Sequence, residues 1–202
     1  GVDGKVWVKN SDRAQILRLD PSTGEWENFG SFKNPVTGAR IQSYGIPTDT
    51  QNNLYLLDFA GNGVGKLDRS GRLVGYYPGE VAASRPRRGR IDDQGRLWYA
   101  EYGGNAIAML DLETGAVKEW MLPTPWAQPY DVVLDRNGEA WTGSMLSDRV
   151  SRLDPRTGAF VEYLMPRNTN IRRVFVDNTT TPVTFWAGNN HGASIVKVEP
   201  LD

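Results

Sequence analysis

The chain repeats itself about every 43 residues. The segment from Pro86 to Pro123 returns in the same order from Pro129 to Pro166. Each copy contains an acidic residue, a glycine turn, an aromatic residue, a polar loop, a Leu-Asp pair and a Thr-Gly turn. An aromatic landmark recurs five times, with separations of 48, 43, 43 and 45 residues, at Trp7, Tyr55, Trp98, Trp141 and Trp186. A period of this length is typical of a protein built from one structural unit used several times.

The period matches the roughly 40 to 45 residues of a four-stranded propeller blade. In the clearest unit, turn-forming residues separate four predicted strands, Tyr130 to Leu134, Glu139 to Gly143, Arg149 to Leu153 and Phe160 to Leu164. Helical periodicity is absent. The sequence therefore predicts an all-β propeller of four-stranded antiparallel blades, as one domain over 1–202, with units near 1–30, 44–79, 86–123, 129–166 and 171–202.

Both terminal units are predicted to be incomplete. The first unit begins on its second strand and the last stops after its third, which predicts 18 strands, grouped three, four, four, four and three. Either five blades close imperfectly, or the chain is part of a larger ring. Because open blades leave strand edges and apolar faces uncovered, we expect a further segment, a partner chain or self-association to complete the propeller.

Composition narrows the function classes. With 23 basic and 24 acidic residues, the formal net charge of -1 gives no overall field that would favour nucleic acid as a partner. The absence of cysteine excludes disulfides, thiolate metal sites and cysteine nucleophiles. No apolar run is long enough for a membrane span. The chain starts at Gly1 rather than Met, which is compatible with a removed leader, and we expect a periplasmic or extracellular bacterial protein.

Two stretches carry a family resemblance. They are WYAEYGGNAI from Trp98 to Ile107 and KEWMLPTPWAQPYDV from Lys118 to Val132. These stretches resemble the units of the streptogramin lyase, or virginiamycin B lyase, family of β-propellers, and the similarity recurs in all five units. The resemblance implies a seven-bladed ring, of which this chain carries about five blades.

The resemblance also implies an activity. Enzymes of that family open a cyclic depsipeptide by elimination, using a magnesium ion, carboxylate ligands and histidines. This chain has one histidine, His191, and the positions aligned with the family's recurring histidine are Tyr44, Arg87, Tyr130 and Arg172. We therefore predict a non-catalytic ligand-binding or protein-interaction module. The alternatives are a magnesium-dependent lyase in which His191 is catalytic, and a lactonase-like hydrolase.

A candidate metal site follows from the repeat. Glu101 ends the WYAE stretch, and its counterparts in the other units include Asn10, Asp58 and Asn189. In adjacent blades these oxygen donors would form a ring around the axis, suited to magnesium or calcium. The alternative is that each side chain caps backbone groups at its own strand end.

A candidate anion site lies at the starts of the inner strands. It comprises Arg87, Arg88, Tyr130, Asp131, Arg172 and Arg173, with Trp126, in a linker that has a proline on each side, as an exposed platform. Converging guanidinium groups would bind an anionic small molecule or an acidic protein surface. The alternative is that these arginines pair with nearby aspartates.

Overall fold

The computed structural model describes residues 1–201 and contains 17 β-strands in that range. No described residue lies in a helix, so none of them forms a helix that could cross a membrane. The strands are β1 Val6–Asn10, β2 Gln15–Leu19, β3 Trp26–Gly30, β4 Leu54–Leu57, β5 Gly63–Leu67, β6 Leu73–Pro78, β7 Pro86–Ile91, β8 Arg96–Glu101, β9 Ala106–Asp111, β10 Val117–Met121, β11 Pro129–Leu134, β12 Ala140–Ser144, β13 Arg149–Asp154, β14 Ala159–Leu164, β15 Ile171–Asp177, β16 Thr184–Asn189 and β17 Ser194–Val198.

The strands form five antiparallel sheets in chain order. These are β1-β2-β3, β4-β5-β6, β7-β8-β9-β10, β11-β12-β13-β14 and β15-β16-β17. Each sheet is one blade, and the first strands of the third, fourth and fifth blades contact one another in sequence. The all-β propeller prediction is confirmed, and the four strands predicted in the clearest unit agree with β11 to β14 within a residue.

The second sheet departs from the predicted strand count. Its expected first strand is replaced by the segment 43–48, which pairs with β4 through isolated bridges from Ser43 to Asp58 and from Thr48 to Leu54. The amide of Tyr44 still donates to the carbonyl of Leu57. The inner position of this blade is therefore occupied, and the carbonyl of Pro47 accepts from the amide of Tyr55 at 2.9 Å, but Pro47 lacks an amide hydrogen and cannot donate in return.

A recurring aspartate turn explains why the second strands begin where they do. In the fourth blade, Asp135 Oδ1 accepts from the amides of Asn137 and Glu139, at 2.8 and 3.0 Å. Asp135 Oδ2 accepts from the indole nitrogen of Trp141 at 2.9 Å. The third blade repeats this arrangement with Asp92 and Trp98. One side chain thus closes the turn and fixes the aromatic landmark of the next strand.

Four apolar clusters join neighbouring blades. One lies between the fourth and fifth blades, where Trp141 stacks on Tyr163 at 5.8 Å and on Phe185 at 5.3 Å between ring centroids. The other clusters join the first blade to the second, the second to the third and the third to the fourth. No cluster of described residues combines the first blade with the fifth, so the five blades form an open arc.

The outer face of the fifth blade shows the consequence. Trp186 occupies the position equivalent to buried Trp141 but is only half-buried, because no blade covers it. Its cross-strand neighbour Phe175 is 62% exposed, and Ile195 on β17 is 75% exposed. The expectation that another segment, a partner or self-association covers this face stays a prediction.

Candidate functional site

The starts of the inner strands bring one group of side chains together at one end of the central axis. We call this group the mouth cluster, and it consists of Lys9, Tyr44, Phe59, Arg85, Arg87, Arg88, Tyr102 and Tyr130. Its members come from the first four blades. The cluster alternates four cations with four aromatic rings, and it includes three of the residues predicted from the sequence.

Arg87 lies at the centre of the mouth cluster, inside a cage of rings. Its guanidinium carbon lies 4.0 Å from the centroid of Tyr102, 4.2 Å from Tyr130, 4.7 Å from Tyr44 and 4.8 Å from Phe59. The negative faces of these rings attract the cation without neutralising it. The cage therefore holds a full positive charge in a fixed position.

The charge of the mouth cluster has no carboxylate partner among the described residues. No ion pair reaches Arg87 or Arg88, and the Nε atom of each is buried without an acceptor. Arg87 Nη1 donates only to the thioether sulfur of Met145, at 3.3 Å, which is a weak acceptor. Buried guanidinium groups are normally paired. Neither Arg87 nor Arg88 forms an ion pair with an aspartate among the described residues, although the charge of Arg88 acts on Asp131, and Arg90 does pair with Asp131.

Two tyrosines of the cage share a hydrogen bond between their hydroxyl groups. Burial works against ionisation of Tyr44, but hydrogen bonding with Tyr130 and Arg88 and the charge of Arg87 together hold the Tyr44 pKa below its usual value. Burial and the bond with Tyr44 raise the pKa of Tyr130. The two phenols thus have opposite tendencies, with Tyr44 the stronger acid.

Lys9 extends the positive charge toward the first blade. Its Nζ lies 5.1 Å from the centroid of Tyr44, and burial together with the nearby Arg88 charge lowers the pKa of Lys9, although Tyr44 works in the opposite direction. A cavity of about 220 Å³ opens here, lined in part by Lys9, Asn10, Tyr44 and Phe59. The cage is thus bordered by a space into which a small ligand fits.

A second polar cavity, of about 250 Å³, lies deeper along the axis. It is lined by Arg88, Arg90, Arg173 and Asp131. Asp131 is buried and pairs with Arg90 at 3.3 Å. Burial raises the pKa of Asp131 against the opposing effect of the three arginines. The predicted patch is thus divided, with Arg87 in the mouth and Arg173 in this inner cavity.

The other predicted residues lie around the mouth without joining the cage. Arg172 donates from Nε to Asn170 Oδ1 at 2.8 Å. Trp126 is 79% exposed, as expected for a platform. His191 is exposed in the loop after β16, where its amide donates to Asn189 Oδ1 at 3.2 Å. Its imidazole has no contact with a described acidic or basic side chain with which it could form a catalytic pair.

The predicted oxygen ligands are each engaged in their own part of a blade. Asp58 accepts from the amides of Gln42 and Ala60 and from the hydroxyl of Tyr76. Asn189 accepts from three amides, and Asn10 accepts weakly from the amide of Arg13. Within residues 1–201, no three acidic, histidine or cysteine side chains form a group that could hold a metal. As arranged, these donors do not fit a shared ion, and the metal role stays a prediction.

Glu101 differs from the other three predicted ligands. It is completely buried, and only one of its two carboxyl oxygens accepts a hydrogen bond. Its Oε1 accepts from Ser84 Oγ at 2.9 Å, while Oε2 has no partner. Burial, followed by the charge of Glu119, raises the Glu101 pKa to about 8. The hydroxyl of Tyr99, also fully buried, lacks a partner as well. The raised pKa favours the protonated form of Glu101 in the folded chain at neutral pH.

A larger cavity, of about 450 Å³, lies at the far ends of β7 and β11. Its lining cations are already paired, since Arg96 bonds to Asp92 at 2.8 Å and Arg136 bonds to Asn178. A ligand would have to break these bonds to recruit the charges. The mouth cluster, in which Arg87 forms no ion pair with a described carboxylate, is the better candidate site.

Sequence reasoning missed three of the four rings in the cage, although a signal for them was present. Tyr44 shares its repeat position with Tyr130. Phe59 and Tyr102 follow Asp58 and Glu101 directly and thus also share one position. Aromatic residues at matching positions in adjacent units predict a cluster, but only the three-dimensional arrangement places Arg87 among them.

Comparison with known proteins places this chain in a family. A family model described as the virginiamycin B lyase family matches residues 31–200. No curated protein sequence matches the chain. Among solved structures, a catalytically inactive virginiamycin B lyase variant from Staphylococcus aureus with quinupristin has a TM-score of 0.82 at 19% identity, with 98% of this chain and 64% of that chain covered. The chain thus spans slightly less than two thirds of that relative.

Two further structures share the fold. A streptogramin B lyase structure has a TM-score of 0.65 at 20% identity, with 99% of this chain and 80% of that chain covered. The extracellular domain of a putative one component system from B. thetaiotaomicron has a TM-score of 0.65 at 14% identity, with 98% of this chain and 29% of that chain covered. At these identities the structures establish the propeller fold, while the family model covers most of the sequence. The chain therefore belongs to the virginiamycin B lyase family.

Proposed function

We propose that this propeller is a non-catalytic module that binds an anionic small molecule at the mouth cluster. The observation that carries the proposal is the position of Arg87, which is fixed by four rings and has no carboxylate partner among the described residues. The neighbouring Arg88 also forms no ion pair among the described residues and has a buried Nε without an acceptor, while it hydrogen-bonds to Tyr44 and its charge acts on Asp131. A carboxylate or phosphate entering from the adjacent cavity would accept hydrogen bonds from both guanidinium groups. An acidic protein surface is the second kind of partner that this charge would attract.

The non-catalytic part of the proposal is supported by the positions aligned with the family's recurring histidine. Three of them are Tyr44, Arg87 and Tyr130, which together build the cage instead of a base with an ordinary pKa near neutrality. His191 is exposed on a separate loop. We further propose a location outside the bacterial cytoplasm, which is supported by the extracellular domains among the structures that share the fold.

The direct test is calorimetric titration with benzoate and with inorganic phosphate. We expect binding by the parent chain, and roughly 10- to 100-fold weaker binding by Arg87→Gln, because loss of a charge-assisted hydrogen bond costs about 1.5 to 3 kcal/mol. Arg87→Lys should retain part of the affinity, since lysine keeps the positive charge but lacks the paired N–H donors of the guanidinium group. The matched control is Arg156→Gln, which removes an exposed arginine from an outer turn.

Two outcomes would contradict this function. One is the absence of binding by either anion at millimolar concentration. The other is an equal loss of anion affinity in Arg87→Gln and Arg156→Gln, which would mean that the affinity depends on the overall charge of the chain. Circular dichroism of each variant establishes that the sheet structure is retained, so that lost binding is not confused with unfolding.

Family membership favours a second candidate, a lyase acting on a cyclic depsipeptide-like ester, and a lactonase-like hydrolase is a third. The structure of the inactive Staphylococcus aureus lyase variant was solved with quinupristin, which makes that compound the natural probe. Incubation with quinupristin, with and without magnesium or calcium, followed by chromatography and mass spectrometry separates the candidates. Elimination opens the ring without a change of mass, whereas hydrolysis adds one water. Turnover that His191→Ala abolishes would replace the binding proposal with the lyase.

A further inference from the structure

An apolar ledge borders the mouth cluster on the side of the fourth blade. It consists of Trp126, which is 79% exposed, and Leu146, which is 61% exposed. Trp126 directly precedes Ala127, and the carbonyl of Ala127 accepts from the amides of Met145 and Leu146 at 3.1 and 3.4 Å. The linker before β11 and the loop after β12 are thus held together, with a large apolar side chain exposed on each.

Met145 connects this ledge to the charged cage. Its amide bonds to Ala127 on the ledge side, and its sulfur accepts from Arg87 Nη1 at 3.3 Å. Trp126 also lies only four residues before Tyr130, one of the four rings around Arg87. The backbone that carries the two exposed apolar side chains is therefore joined to the cage through one residue, Met145.

The linker that carries Trp126 is held in a defined conformation. Asn105 Oδ1 accepts from the amide of Ala127 at 2.7 Å, and Asn105 Nδ2 donates to the carbonyl of Thr124 at 3.0 Å. Trp126 has a φ of 59° and Gln128 has a φ of 53°, in the left-handed region that a bulky residue rarely adopts. The hydrogen bonds of Asn105 and the left-handed backbone thus hold the side chain of Trp126 exposed to solvent. A ligand can reach the ledge without a rearrangement of the linker.

Other exposed apolar residues are not linked to the mouth cluster in this way. Phe175 and Ile195 lie on the open face of the last blade, and Trp26, which is 55% exposed, lies on the outer strand of the first. None of the three has a described contact with the mouth cluster. The ledge, by contrast, is joined through Met145 to the guanidinium group of Arg87, and apolar surface beside a cation matches a ligand that has both an apolar body and an acid group.

We propose that the ligand is a small amphipathic anion, whose carboxylate or phosphate group binds Arg87 and Arg88 and whose alkyl or aromatic body packs on Trp126 and Leu146. This inference rests on the proposed function and adds the chemical class of the ligand. It predicts that the site distinguishes anions by their apolar part, which a purely electrostatic site does not do.

The test compares acetate with octanoate, which share the carboxylate and differ in the apolar body, and includes octanol, which lacks the charge. We expect octanoate to bind at least about tenfold more tightly than acetate, because burying a few methylene groups is sufficient for that difference. Trp126→Ala and Leu146→Ala should reduce the affinity for octanoate toward that for acetate, while Arg87→Gln should weaken both acids. Trp26→Ala is the matched control and should change neither.

The outcomes separate this inference from the proposed function. Equal affinity for acetate and octanoate, with both dependent on Arg87, would refute the ledge and leave anion binding intact. Octanoate and octanol binding equally, with dependence on Trp126 but not on Arg87, would refute anion binding and leave an apolar site. No binding of either acid would refute both. Intrinsic tryptophan fluorescence, followed during the same titrations, gives an independent signal that Trp126→Ala should reduce.

Discussion

Glu101→Gln is expected to make the folded chain more stable at alkaline pH and to remove much of its loss of stability between about pH 4.5 and pH 8. The carboxyl of Glu101 has an ordinary pKa near 4.5, and burial and the nearby Glu119 raise it to about 8 in the folded state. Between these values the folded chain binds more protons than the unfolded chain, so stability falls as the pH rises. The full effect is of the order of 3 to 5 kcal/mol.

The glutamine side chain suits this position for structural reasons. Ser84 Oγ donates to Glu101 Oε1 and can donate equally to an amide oxygen. The amide nitrogen would face the site of the unpartnered Oε2, next to Glu119, and would donate where an ionised carboxylate could not. Below about pH 4.5 both variants carry a neutral group, and their stabilities should be similar.

Urea denaturation at several pH values between 4 and 9 measures the effect. Burial also raises the pKa values of Asp131 and Glu139, so the difference between parent and variant, not the parent curve alone, reports on Glu101. Glu113→Gln, at an exposed turn, is the control and should leave the pH dependence unchanged. A parent and a Glu101→Gln variant with parallel curves would mean that Glu101 ionises normally in the folded chain.

The blade architecture was predictable from the sequence because each blade is defined by local signals. The turn residues, the alternating strands and the aromatic landmark all recur within one unit, as the correct strands in the fourth blade illustrate. The exception in the second blade has a local cause, since Pro47 removes one donor from the ladder at the inner position while its carbonyl still accepts from Tyr55. Trp186 is half-exposed because each landmark packs against the following blade and no described blade follows the fifth, whereas Trp7 of the first blade is buried against the second.

The site was predictable only in part because its contacts cross between blades. The sequence indicates that Arg87 and Tyr130 lie at equivalent strand starts, but not that one side chain enters the space between Tyr44 and Tyr130. It also treats Arg87 and Arg173 as equal members of one patch, whereas the structure places Arg87 in the aromatic cage and Arg173 beside Arg88 in a separate cavity. Side-chain direction at a strand start depends on the bulge between Pro86 and Gly89, which no spacing rule supplies.

Asp135→Ala is expected to destabilise the fold by about 3 kcal/mol, because one side chain satisfies three donors that the substitution would leave unpaired. Two of them are amides of the turn, and the third is the indole of Trp141, which is fully buried between two other rings. An unsatisfied buried donor costs about 1 to 3 kcal/mol, whereas turn amides that can reach water cost less. The indole should therefore account for most of the loss.

A double-mutant cycle with Trp141→Phe isolates that contribution. In the Trp141→Phe background the indole donor is already absent, so Asp135→Ala should cost about 1 to 2 kcal/mol less than it does in the parent. Asp177→Ala is the matched control, since Asp177 caps the equivalent turn of the fifth blade through Thr179 but has no described bond to the landmark Trp186. Asp177→Ala should therefore destabilise the fold by less than Asp135→Ala does. Equal losses from Asp135→Ala in both backgrounds would mean that Asp135 acts only through its turn, and that the aromatic landmark is held in place by packing alone.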